Sequence, residues 1–214
     1  LNAQHHYTFR ITLLGVTPPV WRLLACPGTL TLSTLHSVIQ AAMGWKGAHP
    51  YEFEIAAKIY REAAGEDAAG IGDPRETRLE QLHLAQGATL TYLYDRGDDW
   101  VHQIIVEGVA PSVGAAGLPL LLGGANACPP EGSGGPGAYV EALRAIRRPD
   151  SDEGKAALEK LGGVIDPAAW NPAAAAQALA DLAPKAAPAA VAPAAPAPAP
   201  QQQSGGGKKN KKRR

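Results

Sequence analysis

The chain has 214 residues, 45% of them apolar, with 20 basic and 20 acidic side chains in balance. Six of the basic residues fall in the last seven positions, which leaves the body mildly acidic and excludes a broad basic nucleic-acid surface there. Two cysteines, neither in a C-x-x-C spacing, exclude a four-cysteine zinc finger and a disulfide-rich secreted scaffold, and no apolar run reaches the ~20 residues that span a bilayer.

Taken in order, the chain opens on Leu1 rather than Met and lacks an apolar signal core, so it reads as a fragment of an intracellular protein, cytoplasmic or, in a eukaryote, nuclear. Tyr7 to Leu14 alternates, with Tyr7, Phe9, Ile11 and Leu13 on one face, and predicts a strand. Gly15 to Pro19 predicts a turn, and Val20 to Cys26 a second strand paired antiparallel with the first. Thr31 to Met43 predicts a helix, because Leu32, Leu35, Val38, Ile39 and Ala42 form one stripe. Thr31 or Ser33 suits its start, Gly44 its end, and His36 and Gln40 lie one turn apart on its flank. Tyr51 to Ile55 predicts a third strand. Residues 56–76 lose periodicity and predict a surface excursion, followed by a short helix from Thr77 to Leu84.

The clearest signal is Ala88 to Val109, two alternating runs around Asp95-Arg96-Gly97-Asp98-Asp99, which predicts a β-hairpin with Gly97 supplying positive φ in its turn. Pro111 to Pro136 is rich in glycine and proline and reads as a loop. Helices are predicted over 138–147 and 153–161, and a last one from Asp166, with Pro172 arguing for a break or restart. The architecture expected is α+β: one domain over 1–183, an antiparallel sheet with a central β-hairpin covered by helices. Residues 184–207, rich in Ala and Pro and then Gln and Gly, read as a disordered linker, and 208–214 as a basic tail.

Six stretches also carry a resemblance: PPVWRLL at 18–24, TLSTLHSVIQAAMGW at 31–45, HPYEFEI at 49–55, YLYDRGDDWVHQIIVE at 92–107, ACPPEGSGGPGAY at 127–139 and IDPAAWN at 165–171. Together, over roughly residues 7–182, the chain resembles the plasmid pRiA4b ORF-3-like family, which includes TnpR-like proteins that ride on mobile elements. The resemblance implies an α+β domain and little about activity. The chain departs from the family pattern at Gly132 and Ser133, where the family has an acidic residue and a cysteine, and at Tyr51, where it has a histidine-like position.

Three constellations carry chemistry. Asp95, Asp98, Asp99 and His102, with His49, Glu52 and Glu131, combine carboxylates and imidazoles that can hold a divalent ion and activate water. Against this, aspartates in a hairpin turn commonly bond turn amides, Trp100 commonly anchors a core, and no H-E-x-x-H or H-x-H is present. Cys128, before Pro129-Pro130 and a glycine run, can be a nucleophile, but the two prolines remove the N–H donors an oxyanion hole needs, which favours a rigid turn. Glu131 is available to bond neighbouring loops or to pair with Arg22. Lys208, Lys209, Lys211, Lys212, Arg213 and Arg214 can bind nucleic-acid phosphate, with no aromatic platform for sequence readout.

The expectation is therefore a non-catalytic binding or adaptor module for a protein or peptide, without a cofactor. Its groove is expected where the 95–99 turn meets the 127–136 loop and His49. The alternative is a metal-dependent hydrolase or nuclease built on the Asp/His cluster. Deleting residues 208–214 is expected to abolish salt-sensitive binding to DNA in a filter or anisotropy assay, and unchanged binding contradicts a role for the tail.

Overall fold

The computed structural model describes residues 5–63, 69–111 and 119–182. The linker and basic tail expected over 184–214 lie outside the described residues, as do residues 64–68 of the surface excursion and 112–118 of the long loop. Among the described residues seven strands form one sheet: β1 (His5–Leu13), β2 (Trp21–Pro27), β3 (Tyr51–Ile55), β4 (Lys58–Tyr60), β5 (Thr89–Tyr94), β6 (Trp100–Pro111) and β7 (Leu120–Ala125). Their order is β4-β3-β5-β6-β1-β2-β7, and every pairing is antiparallel. Four helices among the described residues accompany it: α1 (Leu32–Met43), α2 (Gly135–Ala145), α3 (Asp152–Leu161) and α4 (Pro172–Asp181). The fold is α+β, as the pattern of runs predicts.

The period-two runs decide which face is buried. Tyr7, Phe9, Ile11 and Leu13 of β1 are buried, and so are Leu90, Tyr92 and Tyr94 of β5 and Trp100, His102, Ile104 and Val106 of β6. The register stacks these residues directly: Tyr92 faces His102 and Tyr94 faces Trp100 across the hairpin, while Ile11 faces Ile104 across β1 and β6. α1 lays Leu32, Leu35, Val38, Ile39 and Ala42 on the core, all but out of water. Burying each large aliphatic side chain is worth about 1.5–3 kcal/mol, so this stripe fixes the helix to the sheet. The side chain of Thr31 accepts from Thr34 N at the start of α1, and Gly44 ends it at φ 89° with its N–H on the Gln40 carbonyl. The Trp45 indole then folds back onto the core.

Several local expectations are corrected. The 95–99 turn takes positive φ at Asp95 and Asp99, not at Gly97, because Asp95 Oδ1 accepts from Gly97 N and the Asp95 carbonyl from Asp98 N and Asp99 N. The segment read as a loop from Pro111 contains β7, whose leucine run and glycines hide any alternation. The excursion after Ile55 contains β4. The helix expected over 77–84 is a single 3-10 turn, Leu79–Leu82, that begins after Arg78. The last helix starts at Pro172, capped by Asn171, because proline fits a first helical position and not an interior one.

Arg22 is the buried charge that ties the far side together. It is 1% exposed and donates to the carbonyls of Ala42 (2.8 Å), Trp21 (2.8 Å), Ala125 (2.9 Å) and Asn126 (3.1 Å), with Trp170 stacked 4.5 Å away. Burial lowers its pKa to about 10, which leaves it cationic at neutral pH. It uses its guanidinium on the end of α1 and the end of β7, and the pairing with Glu131 weighed from the sequence does not form.

Trp100 is 1% exposed at the start of β6, next to the hairpin turn. Trp100→Ala is expected to lower stability by ~3–5 kcal/mol in urea unfolding, and an unchanged midpoint contradicts its role as core anchor.

Candidate functional site

The site grows out of α1 and the loop that follows it. His36 and Gln40 face β5, where both meet the Tyr92 hydroxyl, His36 through Nδ1 at 2.7 Å and Gln40 through Nε2 at 2.9 Å. Gln40 Oε1 accepts from Gly47 N at 3.0 Å, so the loop is pinned back onto the helix that precedes it. A backbone N–H can only donate, so this bond fixes the orientation of the amide. Gln40 Nε2 then donates to Tyr92, and among the described residues His36 Nδ1 is the one other partner of that hydroxyl; donation there satisfies its buried hydrogen and assigns the neutral His36 ring's hydrogen to Nε2. The His36 ring lies flat on Tyr51, with centroids 3.8 Å apart and planes 5° apart. Burial pulls its pKa down to about 4.

The residues singled out from the sequence take three different positions. The 95–99 turn and the 127–136 loop do meet, but as a closed seam. Asp98 Oδ2 accepts from Gly134 N at 3.0 Å, and Gly135 packs so closely that a Cβ there would lie 2.3 Å from the Asp98 carbonyl oxygen. Glu131 accepts from Lys46 N at 3.0 Å and from the Tyr94 hydroxyl, while Trp45 Nε1 donates to the Pro129 carbonyl at 2.7 Å. Ser133 is buried and bonds the Pro130 carbonyl, so the loop is a rigid turn. Burial of the Cys128 sulfur pushes its thiol up despite Arg22 nearby, which disfavours a thiolate nucleophile. Trp100 and His102 are core residues.

Around the same turn, Asp99 is exposed, and Asp95 lies 3.5 Å from His49 Nδ1. Glu52 pairs with Arg96 and lies 4.0 Å from Arg61 Nε. The carboxylates thus serve turn amides and arginines. Among the described residues no group of three His, Cys, Asp or Glu is placed to hold a metal ion, so the metal-dependent reading loses its ligand set.

The opening lies on the other flank of His49. A cavity of about 460 Å³ is lined by His36, Gly47, His49, Pro50, Tyr51, Arg61, Glu62 and Arg96. That volume lies in the roughly 300–1,000 Å³ range of small-molecule sites. A larger depression of about 570 Å³ between α2 and α3 is lined by short alanines and charged side chains with no aromatic residue. Of the residues singled out in advance, only His49 reaches the smaller cavity's wall. His36, Tyr51, Arg61 and Arg96 were not among them, although the one-turn spacing of His36 and Gln40 was visible.

With this geometry in hand, comparison with known proteins places the chain. The model of the plasmid pRiA4b ORF-3-like proteins matches residues 5–174. The chain belongs to the plasmid pRiA4b ORF-3-like family. Another protein similar to it, uncharacterized protein y4hQ of Sinorhizobium fredii, is 39% identical over 178 residues, 82% of this chain and 91% of that one. The crystal structure of a protein of unknown function, MM3350, from Methanosarcina mazei Go1 superposes with a TM-score of 0.71 at 25% identity. The match covers 80% of this chain and 98% of that one. The α+β fold of this family member is therefore shared with a solved structure.

Burial makes a pH prediction at His102. The ring is fully buried, donates from Nδ1 to the Trp100 carbonyl at 3.1 Å, leaves Nε2 without a partner, and has its pKa lowered to about 4. An unfolded histidine protonates near pH 6.5, so between the two values the unfolded chain binds more protons and stability falls as pH drops. From pH 7 to 5 the loss at His102 is about 2 kcal/mol, with His36 adding in the same direction. Urea midpoints are expected to fall accordingly and to fall less in His102→Phe; a variant that keeps the full wild-type decline contradicts this assignment.

Proposed function

We propose that this family member is a non-catalytic binding module whose ligand seat is the cavity between the α1–β3 loop, the start of β3 and the turn of the central hairpin. The observation that carries the reading is the concentration there of an aromatic stack, His36 on Tyr51, with the charged side chains of Arg61, Glu62 and Arg96 around it. A cavity wall of flat apolar surface with a few fixed polar groups is the usual form of a small-ligand site. The hydrogen-bond chain through Gln40 and Tyr92 holds His36 from beneath, so the wall is preorganised before any ligand arrives.

The state of His36, His102 and the two thiols favours binding over chemistry at those four groups. General acid–base catalysis draws on a group that titrates near the working pH. His36 and His102 are held neutral down to about pH 4, and both thiols are pushed up by burial. Asp98 and Glu131 are occupied as acceptors for loop amides. A ligand of small-molecule size, or one side chain of a peptide partner, matches the volume.

A screen of small polar aromatic fragments, followed by backbone amide NMR, is expected to move the signals of Gly47, Tyr51, Arg61 and Arg96 together. Tyr51→Ala is expected to lose that response. Shifts confined to other surfaces, or none with any fragment, contradict the reading.

A further inference from the structure

We infer that the His36–Arg61–Arg96 cavity receives a single anionic group, a carboxylate or phosphate monoester, borne on a flat apolar body. This rests on the cavity being the binding site proposed above.

The first argument is the fixed direction of the hydrogen-bond chain. Gly47 N donates to Gln40, Gln40 to Tyr92 and Tyr92 to His36 Nδ1, so Nε2 is left as a donor. That nitrogen lies on the Gly47 side of the ring, where a Cβ on Gly47 would come within 3.4 Å of it, and both residues line the cavity. No acceptor among the described residues takes this hydrogen. An accepting ligand atom completes the chain, and a donor at the same place opposes it.

The second argument is the imbalance of donors over acceptors. Arg96 bonds Glu52 through one nitrogen, and Arg61 stands 4.0 Å from the same carboxylate. Each guanidinium carries about five N–H donors and no acceptor, so one shared carboxylate leaves most of them unused. A carboxylate or phosphate is the group whose geometry engages such a fork through two oxygens. Glu62 also lines the cavity and opposes an anion, which gives the proposal a sign that can be read. The stacked rings of His36 and Tyr51, with Pro50 beside them, supply the flat apolar wall for the ligand body.

The test is calorimetric titration of the full-length chain with benzoate, phenyl phosphate, inorganic phosphate and neutral benzamide at low salt and neutral pH. At least one aromatic anion is expected to bind about tenfold or more tightly than benzamide. Arg61→Gln and Arg96→Gln are expected to weaken it by about tenfold each, and Glu62→Gln to tighten it. Glu62 and Arg96 are exposed and Arg61 is half-buried, and the variants leave Lys208–Arg214 intact, so anion binding by the tail is distinguished from binding in the cavity. Preference for benzoate assigns a carboxylate, and preference for phenyl phosphate assigns a phosphate. Inorganic phosphate binding as well as phenyl phosphate overturns the apolar body. Benzamide binding as well as the anions, lost in Tyr51→Ala, overturns the anion and leaves the binding site standing. Heat unaffected by any of the cavity variants, or no heat with any of the four probes, overturns the proposal and counts against the site as well.

Discussion

Gly47 offers a backbone N–H that can only donate, and the direction of a chain of hydrogen bonds follows from it. The Gln40 amide must present its oxygen to the loop and its nitrogen to Tyr92. The buried Tyr92 hydroxyl would leave its own hydrogen without a partner unless it donates to His36 Nδ1, its other neighbour among the described residues. The chain runs from a loop, through the helix before it, to a strand and back to the helix, so it ties α1 and its following loop to Tyr92 of β5, which lies 52 and 56 residues beyond Gln40 and His36. Inside a low-dielectric core such bonds are stronger than in water, and a missing member is expensive. The hydroxyl that makes this possible is almost completely buried, and burial raises its pKa well above the usual tyrosine value, which keeps it a donor at neutral pH.

The surrounding architecture supports that seam from both sides. On one side Trp45 and Lys46 are held by the Pro129 carbonyl and Glu131, and Glu131 also takes the hydrogen of Tyr94. The 127–136 loop therefore acts as a clasp on the end of α1. On the other side Arg22 holds the Ala42 carbonyl, near the end of α1, against the end of β7. Between the clasp and the arginine, the 44–50 loop has little freedom, and the cavity beside it inherits a defined shape. His102 in the core and His36 at the cavity wall illustrate how local partners set chemistry: His102 gives its Nδ1 hydrogen inward to Trp100, whereas His36 receives at Nδ1 and presents Nε2 outward.

Much of this was legible in the sequence, for physical reasons. Strands with one buried face alternate, so β1, β3 and the hairpin were readable from Tyr7–Leu13, Tyr51–Ile55 and the runs around 95–99. α1 announced itself by its stripe and by Thr31 and Gly44. β7 was hidden because three leucines and two glycines show no period, and β4 because three residues are too few to show one. The site was harder. Asp98 and Glu131 looked reactive by composition, yet their roles as caps for Gly134 N and Lys46 N depend on loops that only the fold brings together. No local pattern marks Arg61 or Arg96, and their approach to one Glu52 carboxylate depends on how the fold brings the strands and the turn together.

The protonation of the His36 ring tests this account most directly. Long-range proton–nitrogen NMR of the labelled chain at neutral pH should show Nε2 carrying the hydrogen and Nδ1 bare, with the preference lost in Tyr92→Phe. A hydrogen on Nδ1 in the wild-type chain, or a ring averaging between both forms, would mean that the bonds from Gly47 to His36 do not run in the direction on which the cavity's character depends.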